Sequence, residues 1–246
     1  MPEPVPDSPG FDERRRWFFR GMRESVSVAG LILVTAHVGF AGLAQEAGVS
    51  MAQAVFMVAV IWALPAMVVM LGAILSGAGL AAVAFAVALS SIRLTPMVVA
   101  LVPELRASGT RKITLYLLAH FVAVTSWVIA MHGIRAVPRE MRTSYYAGLG
   151  GVLVFANMIV VGVVYSVLDS LPPVVAAALF LLTPMYFVTS LWGSARERAS
   201  HVAMVLGLVL GPAMHLVIPG FDLLFAGAIG GGIAYATHLM RKRATE

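Results

Sequence analysis

The sequence contains no cysteine among its 246 residues. Disulfides, thiolate nucleophiles and cysteine metal sites are thereby excluded, and cysteine usage says nothing about redox compartment. Charge is also scarce, at 12% of residues, against about a quarter in soluble domains. All twelve Asp and Glu residues lie in tails, loops or the ends of apolar runs. A cation transporter or a carboxylate proton relay normally keeps one at membrane depth, so both readings weaken. There is no phosphate-cradling glycine loop ending in lysine, no paired metal-ligand spacing and no nucleophile elbow. We expect no enzyme chemistry, no metal and no cofactor.

What is present is apolar: 60% of residues are hydrophobic. The expectation is an all-α polytopic membrane protein in a lipid bilayer. The net charge of +5 comes mainly from clusters flanking apolar runs, which set membrane orientation and argue against nucleic acid as a partner. Residues Met1 to Asp12 read as a flexible cytoplasmic tail. Arg14, Arg15, Arg16, Arg20 and Arg23 surround Trp17, Phe18 and Phe19, a mixture suited to an interfacial helix at an anionic inner leaflet. The run Ser25–Leu43 reads as an uncleaved first helix rather than a secretory signal.

Apolar length then places spans at Ser50–Leu75, Ala78–Leu105, Ile113–Met131, Tyr145–Leu168, Pro173–Trp192, His201–Ile218 and Phe221–Leu239. With the first, this gives about eight transmembrane helices, with seven as the alternative. Arg135, Arg139 and Arg142, then Arg196 and Arg198, then Arg241, Lys242 and Arg243 all fall inside on this count. The loop holding Arg106, Arg111 and Lys112 falls outside, against the rule. One segment of the first half, with the region 50–105 the candidate, is therefore re-entrant or only partly crossing. Both termini are expected in the cytoplasm and the chain in the inner membrane.

Internal recurrence divides the chain. Gly30, His37 and Gly42 recur as Gly150, Asn157 and Gly162 at an offset of 120 residues, Pro65 as Pro184 at 119, and Pro96 and Pro103 as Pro212 and Pro219 at 116. The organisation read from this is a tail and basic segment over 1–24, one membrane repeat over 25–132, a second over 145–239, and a basic tail over 240–246. Four spans per half relate the halves by an axis along the membrane normal, whereas an odd number inverts them. Pro65, Pro96, Pro184 and Pro212 then mark helix breaks around one central region.

Arg93 lies inside an apolar run, three residues before Pro96. An arginine near the bilayer centre costs at least about 2.5–3.5 kcal/mol, so protein, water or an anion must receive it. With Ser90, Ser91 and Thr95 beside it, it suits a carboxylate, which a guanidinium binds through two parallel hydrogen bonds. The alternative is that Arg93 tethers carbonyls freed at Pro96 or snorkels to a headgroup. His37, His120 and His215 fall within spans and can titrate near neutral pH, although a structural hydrogen bond explains any one of them equally. His132, His201 and His238 lie at span ends or a loop edge. Asn157 and Gln53 are weaker polar candidates. Gly227 and Gly230, Gly231 and Gly232 let helices approach closely within the chain or against a partner.

Gly39-Phe40-Ala41-Gly42-Leu43-Ala44, then Ala47-Gly48-Val49-Ser50, then Ser91-Ile92-Arg93 with Pro103-Glu104-Leu105 occur in that order. From Gly21 onward the chain resembles the AzlC family of branched-chain amino acid exporters. The family's Asn-Leu-Arg-His motif keeps its arginine as Arg93, with Ser91 for the asparagine and Leu94 for the histidine. A Gly-Ser-Ala-Gln-like segment is replaced around Ala63-Leu64-Pro65-Ala66, and an acidic pair is missing near Ala119-His120-Phe121. The resemblance implies an exporter of small apolar amino acids working by alternating access, and a small separate AzlD-type membrane subunit as partner. On that reading Arg93 holds the substrate carboxylate, Ser90, Ser91, Thr95 and Asn157 assist, and the breaks at Pro65, Pro96, Pro184 and Pro212 lend backbone groups. His37 or His120 couples proton movement. A membrane scaffold whose Arg93 pairs with a partner chain is the rival.

Overall fold

The computed structural model describes residues 10–194, 198–218 and 222–245, and among these every regular element is helical. The helices are α1 Phe11–Ser25, α2 Val28–Glu46, α3 Met51–Ile61, α4 Leu64–Leu75, α5 Leu80–Ser91, α6 Thr95–Leu105, α7 Lys112–Ala119, α8 Val124–Gly133, α9 Arg142–Val167, α10 Pro173–Ser194, α11 Arg198–Val217 and α12 Asp222–Thr245. Arg196 and Pro219, which entered the charge and repeat arguments, lie outside the described residues.

Among the described residues four helical stretches are long and apolar enough to cross a membrane: Val28–Glu46, Leu80–Leu105, Arg139–Ser170 and Arg198–Val217. Two of the expected continuous spans are instead pairs of short helices. Ser50–Leu75 divides into α3 and α4 at Trp62, whose φ of 44° turns the chain left-handed. Ile113–Met131 divides into α7 and α8 at residues 120–123. Hydropathy measures side-chain polarity and is blind to such a break in the helix.

Proline misleads in the other direction. Around Pro96 the chain passes from α5 through a 3₁₀ turn at Ile92–Leu94 into α6 without leaving helical geometry, because a proline in the first turn of a helix sacrifices no bond that turn would make. Pro184 and Pro212 lie inside α10 and α11, which run on past them. Only Pro65, in the first turn of α4, stands next to a break.

By contact the chain forms two units, Met1–Gly72 with Leu80–Thr183, and Ala73–Gly79 with Pro184–Glu246. They divide the chain differently from the halves 25–132 and 145–239, which rest on recurrence rather than contact. In the first unit α9 is the spine. Leu149, Leu153, Asn157 and Val161 recur every fourth residue on its buried side, while Phe155, Ile159 and Val163 do so on an exposed apolar side. That exposed stripe suits lipid. Helices α1, α2 and α3 pack on the spine.

Helix α1 is more than a surface segment. Gly21 lies against the carbonyl of Tyr145, and Gly148 against that of Phe18, so the two backbones touch where neither helix carries a side chain. The arginines of α1 stay exposed. Polar ties gather at the two ends of α9. At its start Arg142, 8% exposed, pairs with Glu104 at 2.6 Å and donates to the carbonyls of Glu104 (3.0 Å) and Val137 (3.1 Å), and Tyr145 donates to Glu24. At its far end Gln45 donates to Asp169 at 2.6 Å and Tyr165 to the carbonyl of Val49 at 2.7 Å.

These ties fix the course of α7 and α8. Lys112 follows closely on Glu104, at the Arg142 end, and at the other end a Cβ on Gly133 would meet the Tyr145 hydroxyl at 2.6 Å and Glu24 Oε2 at 2.8 Å. The pair therefore enters and leaves at the same end of α9.

In the second unit α11 packs on α12. Gly230 meets Leu206 and Gly207 between buried Ala226 and Ala234, as a small-residue seam should, whereas Gly227, Gly231 and Gly232 face open space.

Candidate functional site

The two helix breaks of the first unit meet each other. Trp62 Nε1 donates to the carbonyl of Phe121 at 3.1 Å, and His120 Nε2 donates to the carbonyl of Ala59 at 2.8 Å. Each break thus supplies a donor for a carbonyl beside the other, where helix ends leave backbone oxygens without an intrahelical partner. Ser126 consolidates the second break: its hydroxyl donates to Phe121 O at 2.6 Å and accepts from the Ala123 N–H at 2.9 Å. Tyr146 reaches the same hydroxyl at 3.5 Å. Phe121 itself lies on Gly150, where a Cβ would be 2.5 Å from the phenyl Cβ.

Two helices begin at this junction, α4 and α8, and both direct partial positive charge into it. His37 stacks on Trp62 with ring centroids 5.8 Å apart and planes at 24°. Its Nδ1 lies 2.9 Å from the Leu33 carbonyl, which can only accept, so Nδ1 carries a proton and, in the neutral ring, Nε2 is an acceptor. Nε2 is buried with no partner.

Asn157 repeats the pattern. Its Nδ2 donates to the Leu153 carbonyl at 2.7 Å, and its Oδ1 is buried with no partner. Leu33 and His37 stand 120 residues before Leu153 and Asn157, so the offset found in the sequence corresponds to the same bond and the same unpaired acceptor.

The remaining sequence candidates scatter. Arg93 is exposed on the 3₁₀ turn, Thr95 and Pro96 are exposed, and Ser90 and Ser91 are half-buried. Pro184 and Pro212 are exposed and belong to the second unit. Pro65 is half-buried beside Trp62, and His120 stands at the junction. His215 pairs with Asp222 at 2.6 Å, His132 bonds the carbonyl of Val128 at 2.7 Å, and His201 meets the edge of Trp192. Gln53 closes the N-terminus of α3 with Ser50, which accounts for its polarity. Among the described residues no group of three or more His, Cys, Asp or Glu could hold a metal.

Sequence reasoning missed Trp62, Phe121, Ser126, Tyr146 and the buried Arg142. The break at 120–123 contains neither proline nor glycine, and its one trace in the sequence was the basic loop at Arg106–Lys112 on the wrong side of the charge rule.

A family model described as AzlC protein matches residues 28–171, more than half of the chain. That region holds both breaks, His37, Asn157 and Arg93. No curated protein and no solved structure matches.

Proposed function

The chain belongs to the AzlC family, and from that membership we propose that it is a secondary transporter exporting branched-chain or other small apolar amino acids across the inner membrane. The substrate site is the junction of the two helix breaks. The observation that carries this reading is the pair of bonds joining them, Trp62 to Phe121 and His120 to Ala59, beside the buried His37. Broken helices at membrane depth are tolerated only against protein or a wet cavity, and transporters build binding sites from them.

The course of the chain supports a specific topology. Helices α3, α4, α7 and α8 have 11, 12, 8 and 10 residues, at most about 18 Å each against a hydrocarbon core of about 30 Å. We read α7–α8 as a re-entrant hairpin from the Arg142 face. The stretch Leu80–Leu105, at 26 residues, crosses fully and ends at that face, so it begins at the opposite one. Helix α4, which leads into it, must return there, making α3–α4 a second hairpin from the Asp169 face. Six crossings and two hairpins replace eight crossings. The loop Arg106–Lys112 then joins Arg135 and Arg139 on one face, and every basic loop lies inside with both termini.

Alternating access moves the hairpins in turn. The substrate carboxylate has two candidates: the starts of α4 and α8, and Arg93. Burial favours the helix starts, since Arg93 is exposed. His37 or His120 couples proton movement, and a small AzlD-type subunit completes the transporter.

The test is leucine efflux from proteoliposomes holding the chain with its small subunit. Efflux should be lost in Trp62→Ala, while Arg93→Ala retains at least half. Loss in Arg93→Ala with normal insertion moves the carboxylate to Arg93. Absence of substrate-dependent efflux in the wild type overturns the transporter reading.

A further inference from the structure

Resting on the amino-acid transporter reading, we propose that His37 and Asn157 form the subsite for the substrate's ammonium group. Both side chains are buried, at 1% and 0% exposure. Each donates to the carbonyl four residues earlier, His37 with the single N–H of its neutral ring and Asn157 with its amide nitrogen, and each leaves one acceptor, Nε2 or Oδ1, without a partner. Buried polar atoms are nearly always bonded, so two orphans of the same kind require an explanation.

Both orphans are acceptors, and that decides the ligand chemistry. Neither a carboxylate nor an aliphatic chain has a hydrogen to give them; a primary ammonium has three. Their placement agrees. Helix α2 packs on α9, and both run toward the end pinned by Gln45 and Asp169. His37 lies eight residues before Gln45 and Asn157 twelve before Asp169, so the two differ in depth by about 6 Å, close to one helical turn. His37 also lies flat on Trp62, whose N–H holds the junction together. An ammonium between the acceptors leaves the carboxylate of the same molecule free to meet the start of α4 or α8. The zwitterion is thus read at both ends by neutral groups, which explains how a site without an internal carboxylate takes an amino acid.

The experiment is equilibrium binding to the purified chain with its small subunit, using leucine, 4-methylpentanoate (leucine without its amine) and 3-methylbutylamine (leucine without its carboxylate). Wild type should bind 4-methylpentanoate at least about tenfold more weakly than leucine. His37→Phe keeps a flat ring on Trp62 and Asn157→Leu keeps bulk, yet each should weaken leucine and 3-methylbutylamine by about 10- to 100-fold and leave 4-methylpentanoate unchanged. His37→Gln, which restores a donor and an acceptor, should recover most of the loss. Equal binding of leucine and 4-methylpentanoate, or wild-type leucine affinity in both variants, overturns the proposal and makes the two residues structural. Binding of 3-methylbutylamine without leucine, dependent on Asn157, keeps the ammonium subsite and removes the amino-acid reading. Binding of none of the three overturns both.

Discussion

Trp62 sits at the end of one broken helix and donates its indole N–H to the carbonyl of Phe121, the first residue past His120 in the other break, at 3.1 Å. Its backbone is left-handed, a conformation that costs a non-glycine residue about 1 kcal/mol or more. Packing on His37 and the bond to Phe121 offset that cost. Phe121 O also accepts from Ser126, so loss of the indole donor does not orphan the carbonyl. Trp62→Phe should therefore cost only about 0.5–1.5 kcal/mol of stability, read by thermal unfolding in detergent, while lowering transport strongly. Unchanged transport would mean that the junction does not need this tie.

Gly150 and Gly151 are neighbours with opposite surroundings. A Cβ at Gly150 would be 2.5 Å from Phe121 Cβ and 2.8 Å from Cγ, while one at Gly151 would meet nothing within 4 Å. Gly150→Ala should displace the α7–α8 tip and destabilise by about 1–3 kcal/mol, whereas Gly151→Ala should be neutral or slightly stabilising through helix propensity. Equal effects in thermal unfolding would contradict the placement of Phe121.

Much of this was legible in the residues, and the part that was not has a common cause. Composition and apolar length indicated the membrane class, the family resemblance was carried by short apolar motifs, and the recurrence at 120 residues picked out His37 with Asn157. Proline was the poor guide: Pro96, Pro184 and Pro212 are absorbed by helices that continue, and the break at 120–123 needs no proline because Ser126 and Trp62 satisfy its backbone. Arg93 drew attention through its charge, yet the arginine with buried geometry is Arg142, which sequence alone assigns to a loop. Burial, not residue type, separates the two.

Arg142 also makes a prediction about stability. It is 8% exposed and pairs with Glu104, whose side chain is 36% exposed. Glu104→Ala leaves Arg142 its two carbonyl bonds but removes this carboxylate, and should cost about 1–3 kcal/mol, below the value for a fully buried pair. The double variant Glu104→Leu with Arg142→Met should recover part of that loss, because no buried charge remains. A double-mutant cycle by thermal unfolding checks this, and strictly additive effects would show that the pair contributes no coupling.

The most direct test of the account is the sidedness of its loops. Since the chain has no cysteine, single-cysteine variants can be labelled in oriented membranes with a reagent that cannot cross them. Glu46→Cys marks the Asp169 face and Arg139→Cys the Arg142 face; Ser76→Cys and Ser108→Cys are the probes. Two hairpins place Ser76 with Glu46 and Ser108 with Arg139. Eight full crossings place each on the other side, and that result would contradict the hairpins and the site built from them.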